Sequence, residues 1–165
     1  MAKDESFDIV SVTDMQEVDN AVQQTDRQIA QRFDLKDTKA EVTLDKAAAT
    51  ILVKAPSDFV AKQVIDILGS VVIKRGIDLK ALNWGAVEAA SGGWVRQTAT
   101  IVNGIEDTLA KRINKDIRDE KFKAKVQIEG DKLRVFSPSR DELQNIIAFV
   151  KSKDYDIPLQ FTNRR

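Results

Sequence analysis

The 165-residue chain has no cysteine and no histidine. The missing thiols exclude disulfides, thiolate nucleophiles and Cys/His zinc sites, and the missing imidazoles exclude histidine acid–base catalysis. A cysteine-free chain fits a reducing compartment. Aromatic residues are few, at 6%. No apolar run approaches the ~20 residues that span a bilayer. The start, Met1 to Glu5, is charged and has no apolar signal region. These absences lead us to expect a cytoplasmic protein with no membrane association. Neither sign of charge is in excess, with 26 basic residues against 26 acidic ones. That balance excludes a generic basic coat for nucleic acid and leaves room for a local basic face.

What the chain does contain is a repeat. The pattern strand, helix, hairpin, helix, strand runs through the first half and again through the second. Ala55-Pro56-Ser57-Asp58 closes the first hairpin and opens a helix, and Ser137-Pro138-Ser139-Arg140 does the same in the second half. An internal repeat in a chain of this length favours two small domains over one.

In the first half, residues 7–12 read as a β-branched strand. Thr13-Asp14-Met15-Gln16 offers a capping box. Met15, Val18, Val22, Ile29 and Phe33 follow at helical spacing. A hairpin with Val42, Leu44, Ile51 and Val53 on one side comes next. Ser57 caps a second helix with Val60, Val64, Ile67, Leu68 and Val71 as its apolar stripe. Lys74-Arg75-Gly76 reads as that helix's C-terminus rather than a phosphate site. Residues 79–87 are a weaker strand.

Ala89-Ala90-Ser91-Gly92-Gly93 is small and flexible, so we expect domains 1–91 and 92–165, with exchange of an end strand between the repeats as an open alternative. Trp84 and Trp94 flank this junction and are expected to pack there. Residues 96–102 restart the pattern. A helix marked by Ile105, Leu109, Ile113 and Ile117 follows. A hairpin turns at Gly130-Asp131. Ser139-Arg140-Asp141-Glu142 is a second capping box before Leu143, Ile146, Ile147 and Val150. Residues 158–163 close the repeat. Each half reads βαββαβ. The expected class is α+β: two ferredoxin-like repeats, each an antiparallel four-stranded sheet with helices on one face and an open face on the other.

Phe7-Asp8-Ile9-Val10-Ser11, Arg32-Phe33-Asp34, Lys74-Arg75-Gly76-Ile77, Arg96-Gln97-Thr98, Lys125-Val126-Gln127-Ile128, Ser139-Arg140-Asp141-Glu142-Leu143 and Pro158-Leu159-Gln160-Phe161 together resemble the YajQ-like bacterial proteins, in family order and over nearly the whole chain. The resemblance implies two ferredoxin-like domains, a cytoplasmic nucleotide-binding role with cyclic di-GMP or nucleic acid as ligand, and, in some members, a regulatory protein partner such as a transcription factor. It transfers no catalytic residues. The chain departs from the usual family pattern at Leu35-Lys36-Asp37, where members commonly read Phe-Lys-Gly. It departs again at Asn163-Arg164-Arg165, where they commonly read Asn-Phe-Arg.

No Walker loop or dinucleotide fingerprint is present, and no carboxylate pair stands out for acid–base or metal chemistry. We therefore expect a non-enzymatic binder without a cofactor. The second hairpin carries the candidate site. If Leu133 and Val135 face the helices, alternation puts Lys132, Arg134 and Phe136 on the open face. The two cations suit phosphate and the ring suits a base. Arg96 is the expected neighbour. Outward-facing positions should tolerate substitution. The plain alternative is a solvated sheet face. The matching face of the first hairpin, with Lys39, Glu41, Thr43, Thr50, Leu52 and Lys54, is mixed in charge. The partner expected first is a nucleotide or cyclic dinucleotide. Weak RNA or tRNA binding and a protein-interaction scaffold are the alternatives.

Overall fold

A computed structural model describes residues 4–165, so Met1 to Lys3 of the charged start lie outside the described residues. The strands are β1 (Glu5–Val10), β2 (Glu41–Asp45), β3 (Thr50–Ala55), β4 (Leu82–Trp84), β5 (Glu88–Ala89), β6 (Val95–Ile101), β7 (Lys125–Glu129), β8 (Lys132–Ser137) and β9 (Gln160–Thr162). The helices are α1 (Met15–Gln31), α2 (Asp58–Lys74), α3 (Asp107–Asp119) and α4 (Arg140–Ser152). No helix among the described residues is long and apolar enough to cross a membrane.

The helices form where caps and apolar stripes coincide. The Asp14 carboxylate accepts from the N–H groups of Gln16 and Glu17 at the start of α1. Thr13, the expected cap, instead donates its hydroxyl to the Val102 carbonyl at 2.6 Å. Val18, Ala21, Val22 and Ile29 are buried along α1. Phe33 is not part of that stripe. The helix stops at Gln31, Arg32 is extended, and Phe33 stands 90% exposed in the following loop. Ser57 caps α2 by accepting from Val60 N–H. Gly76 ends it at φ +81°, a conformation that costs glycine little. Ser139 caps α4 by accepting from Glu142 N–H. The reciprocal half of that capping box is absent, because the Glu142 carboxylate accepts from Lys123 N–H instead. The expected strand at 79–87 is shortened to β4, since Asp78 accepts from Lys80 N–H and folds residues 79–81 into a 3₁₀ turn.

The fold is α+β, built from two ferredoxin-like antiparallel sheets. One has the order β7-β8-β1-β9. The other has the order β2-β3-β6-β4, with β5 paired to β6. The two orders are the same arrangement, with β1 and β6 in equivalent central slots. The first strand of each repeat thus lies in the other repeat's sheet.

Contacts accordingly divide the chain into residues 1–12 with 103–165, and residues 13–102. This is not the sequential division at 91/92. The glycine-rich stretch lies inside the 13–102 unit, where Gly92 (φ +73°) and Gly93 (φ +80°) turn the chain between β5 and β6. Trp84 packs against that unit's core, and Trp94 is half-buried at the turn. The Thr13–Val102 hydrogen bond ties the two ends of the 13–102 unit together. In the other unit Gly104 N–H donates to the Ser11 carbonyl at 2.6 Å.

Each unit has its own core. Val42, Ile51, Val53, Val64, Leu68 and Ala99 belong to one. Phe7, Ile9, Ile113, Leu133, Val135 and Ile146 belong to the other. Leu109, one of the four residues that mark α3 by spacing, is only half-buried beside the second core.

Candidate ligand-binding face

Strand alternation decides what each sheet shows on the side away from its helices. Leu133 and Val135 are buried in the core, so Lys132, Arg134 and Phe136 share the opposite face of β8. On β1, Phe7 and Ile9 go into the core and Ser6 and Asp8 share the face of the β8 cations. The register sets Asp8 directly opposite Arg134 and Ser6 opposite Phe136. On the other flank of β8, Gln127 lies opposite Arg134 and Lys125 opposite Phe136.

Asp8 organises this face. It is only 2% exposed, yet it is a carboxylate. Arg134 Nε donates to its Oδ1 at 2.9 Å. Lys132 Nζ and Asn163 Nδ2 donate to its Oδ2 at 3.1 and 3.0 Å. Burial pushes the carboxyl's pKa up. The hydrogen bonds from Arg134, Asn163 and Lys132 outweigh that push and hold it down at about 2. Glu129 Oε2 also approaches Arg134 Nε, at 3.4 Å, without making a hydrogen bond. Two cations and two carboxylates therefore meet here. The centre of the face is a preorganised, charge-matched network, with exposed Lys125 as a further cation on the flank.

The structure thus brings Lys132, Arg134 and Phe136 together on β8. It places Arg96 on β6, in the other sheet, where its Nε donates to Glu88 Oε2 at 3.1 Å. It also alters the standing of Arg134. Alternation alone suggests a position that folding ignores. In the structure Arg134 is mostly buried and compensates a buried carboxylate, so truncating it disturbs the fold. Phe136 belongs to neither core and is half-buried, which leaves part of the ring to solvent.

Asp8 and Asn163 join this face through contacts that local sequence pattern does not show. The signal for Asp8 was present: a lone carboxylate between Phe7 and Ile9 must face away from the core. Its partners lie more than 120 positions away in sequence, and only the sheet order reveals them. Arg75, weighed against a phosphate role, is a strut. Its guanidinium donates twice to Gln24 Oε1, at 3.2 and 3.1 Å, and reaches Glu17 at 3.4 Å, joining α2 to α1. No group of three or more His, Cys, Asp or Glu residues among the described ones is placed to hold a metal ion.

The sequence profile described as "Nucleotide-binding protein YajQ-like" matches residues 5–165. The chain belongs to the YajQ-like family. Its similarity to individual members is as broad. A protein of Desulforamulus reducens named "Nucleotide-binding protein" is 49% identical over 165 residues, 100% of this chain and 99% of the relative. One of Geotalea uraniireducens with the same name is 51% identical over 160 residues, covering 97% of this chain and 98% of the relative. A third, from Heliobacterium modesticaldum and named alike, is 46% identical over the full 165 residues. The YajQ-like resemblance read from the sequence blocks therefore holds across the whole length.

Proposed function

We propose that this YajQ-like chain binds a nucleotide without turning it over, on the open face of the β7-β8-β1-β9 sheet. Family membership supports the ligand class. The observation that carries the location is the Asp8 network. It holds Lys132 and Arg134 in fixed positions on the strand that also bears Phe136, so a ligand meets ordered donors and a ring without first ordering them. Asp8 occupies Nε of Arg134, and the terminal guanidinium nitrogens are left for a phosphate or a guanine edge. The exposed part of Phe136 offers a stacking surface. A cyclic dinucleotide, with two phosphates and two bases, is the ligand we place first, and regulation of a protein partner is the use we expect of it.

Weak single-stranded RNA binding is the second reading, and a different observation favours it. Phe33 is 90% exposed and Lys36 Nζ sits 5.5 Å from its ring centroid, a solvent-facing ring beside a cation. A thermal-shift screen of nucleoside mono-, di- and triphosphates and cyclic dinucleotides is the test, because a ligand that binds only the folded state raises the unfolding temperature. Stabilisation by a nucleotide that persists in moderate salt supports the first reading. RNA binding that falls steeply with salt, with no small-nucleotide stabilisation, replaces it with the second.

A further inference from the structure

A second feature of the 1–12/103–165 unit is independent of the β8 face. Strand β9 pairs with β1 from Val10 to Asp8, with Asp8 opposite Thr162. The pairing resumes at Ser6, whose N–H and carbonyl exchange hydrogen bonds with Arg165 at 3.0 and 2.9 Å. Two steps along β1 are thus matched by three along the partner segment. The extra residue makes a β-bulge at Asn163, which takes φ +56°. Bulges re-aim the side chains around them, and here Arg164 and Arg165 are set on the edge of the sheet.

Helix α4 packs on β8 and β1 of this sheet. Arg140, Leu143, Gln144 and Ile147 recur at i, i+3, i+4 and i+7, which is one helical stripe. Between this stripe and the bulged segment lies a cavity of about 290 Å³. Buried Phe7, Leu143 and Ile147 line its apolar side. Three arginines, Arg140, Arg164 and Arg165, line it as well. The only acidic side chain in the lining is Glu5, and the Arg140 fork already neutralises it with two hydrogen bonds of 3.0 Å. Arg164 and Arg165 are exposed and make no side-chain ion pair or hydrogen bond among the described residues. A pocket with one apolar side and two uncommitted guanidinium groups on the other suits an amphipathic anion: a compact aromatic body with a phosphate at one end.

We infer that this pocket is a ligand site for a small phosphate monoester with a flat apolar body. It is separate from the face formed by Lys132, Arg134 and Phe136, and it does not depend on the reading given to that face. The contrast with the β8 network is one of charge. There Lys132 and Arg134 meet the Asp8 carboxylate; here Arg164 and Arg165 have no counter-ion among the side chains around them.

The test uses the full chain, isotopically labelled, with adenosine 5′-monophosphate as probe and adenosine as its uncharged control. Backbone amide shifts of Leu143, Gln144 and Ile147 report on the pocket; those of Gln127, Lys132 and Arg134 report on the β8 face. We expect saturable shifts at the α4 amides with the monophosphate. Affinity at these reporters should fall at least about tenfold in Arg164→Gln, the loss expected when one charge-assisted contact goes. Adenosine should shift them far less. Arg164 is exposed and unpartnered, so this variant keeps its fold, which the unchanged spectrum elsewhere verifies. No movement of the α4 amides, an affinity unaltered by Arg164→Gln, or equal binding of adenosine each overturns the proposal. Movement at the β8 reporters alone supports the other site and rejects this one.

Discussion

The two units carry the same sheet, yet their open faces differ, and the difference comes down to a few aligned positions. Thr50, Leu52 and Lys54 on β3 stand where Lys132, Arg134 and Phe136 stand on β8. In the central slot, Arg96 and Thr98 of β6 stand where Ser6 and Asp8 stand on β1. Leu52 therefore faces Thr98, while Arg134 faces Asp8. The threonine-rich face has a shallow depression lined by Thr43, Thr50, Leu52 and Thr98, with one exposed ion pair between Arg96 and Glu88. Such a pair contributes little, because water screens it and both side chains lose freedom. The other face has a buried carboxylate with three donors. One charged residue in the central strand, paired across the ladder, converts a solvated sheet surface into an ordered polar one. The two units share one sheet order, and the central slot decides which face carries an ordered charged network.

The cores beneath the faces carry the largest energies. Ile113 is fully buried in the core of the 1–12/103–165 unit. Replacing it with alanine should cost about 2–5 kcal/mol, read from the shift in denaturant midpoint. If the two units unfold as separate transitions, this variant should move only one of them.

The matched pair Asp8 and Thr98 comes next. Asp8→Ala strands Arg134 and Lys132 and should cost roughly 1–3 kcal/mol. Thr98→Ala removes an exposed hydroxyl and should stay within about 0.5 kcal/mol. The sign of the pH effect follows from Asp8. Its folded pKa, about 2, lies below the usual 3.8, so its stabilisation is fully present above 3.8 and is lost as pH falls toward 2. The amount is roughly 2 kcal/mol. The wild-type chain should lose that much more over this interval than Asp8→Ala does. Parallel acid unfolding curves for the two would mean that Asp8 is not the organiser of the face.

How much of this was legible follows from range. Local rules worked where the decisive partners were local. Apolar spacing placed Val18, Val64, Ile113 and Ile147 in the cores, Ser57 and Ser139 were caps, and Gly130-Asp131 is the hairpin turn, with Gly130 at φ +63°. Alternation set Lys132, Arg134 and Phe136 on one face. What local rules could not supply was the partner of each strand. Both β1 and β6 are apolar on one side, and either satisfies either central slot by pattern alone. The glycine stretch 89–93 resembled a linker because the same small residues serve a flexible joint and a tight turn. Phe33 kept helical spacing although the helix ended two residues earlier, and periodicity carries no information about where a helix stops. Asp8 was visible as an outward carboxylate. The strand order reveals its engagement with the β8 cations.

The most direct test of the central claim, that the β8 face and not its β3 counterpart takes the nucleotide, compares one side chain from each face. Phe136 and Leu52 both point away from the cores and leave the Asp8 network intact when truncated. Calorimetric titration of the nucleotide found by thermal shift, into the wild-type chain, Phe136→Ala and Leu52→Ala, compares the two faces in one experiment. Phe136→Ala should weaken binding by about 1–3 kcal/mol through loss of one stacking surface, and Leu52→Ala should leave the affinity unchanged. Unaltered binding in Phe136→Ala with an intact fold, or a loss confined to Leu52→Ala, would contradict the account.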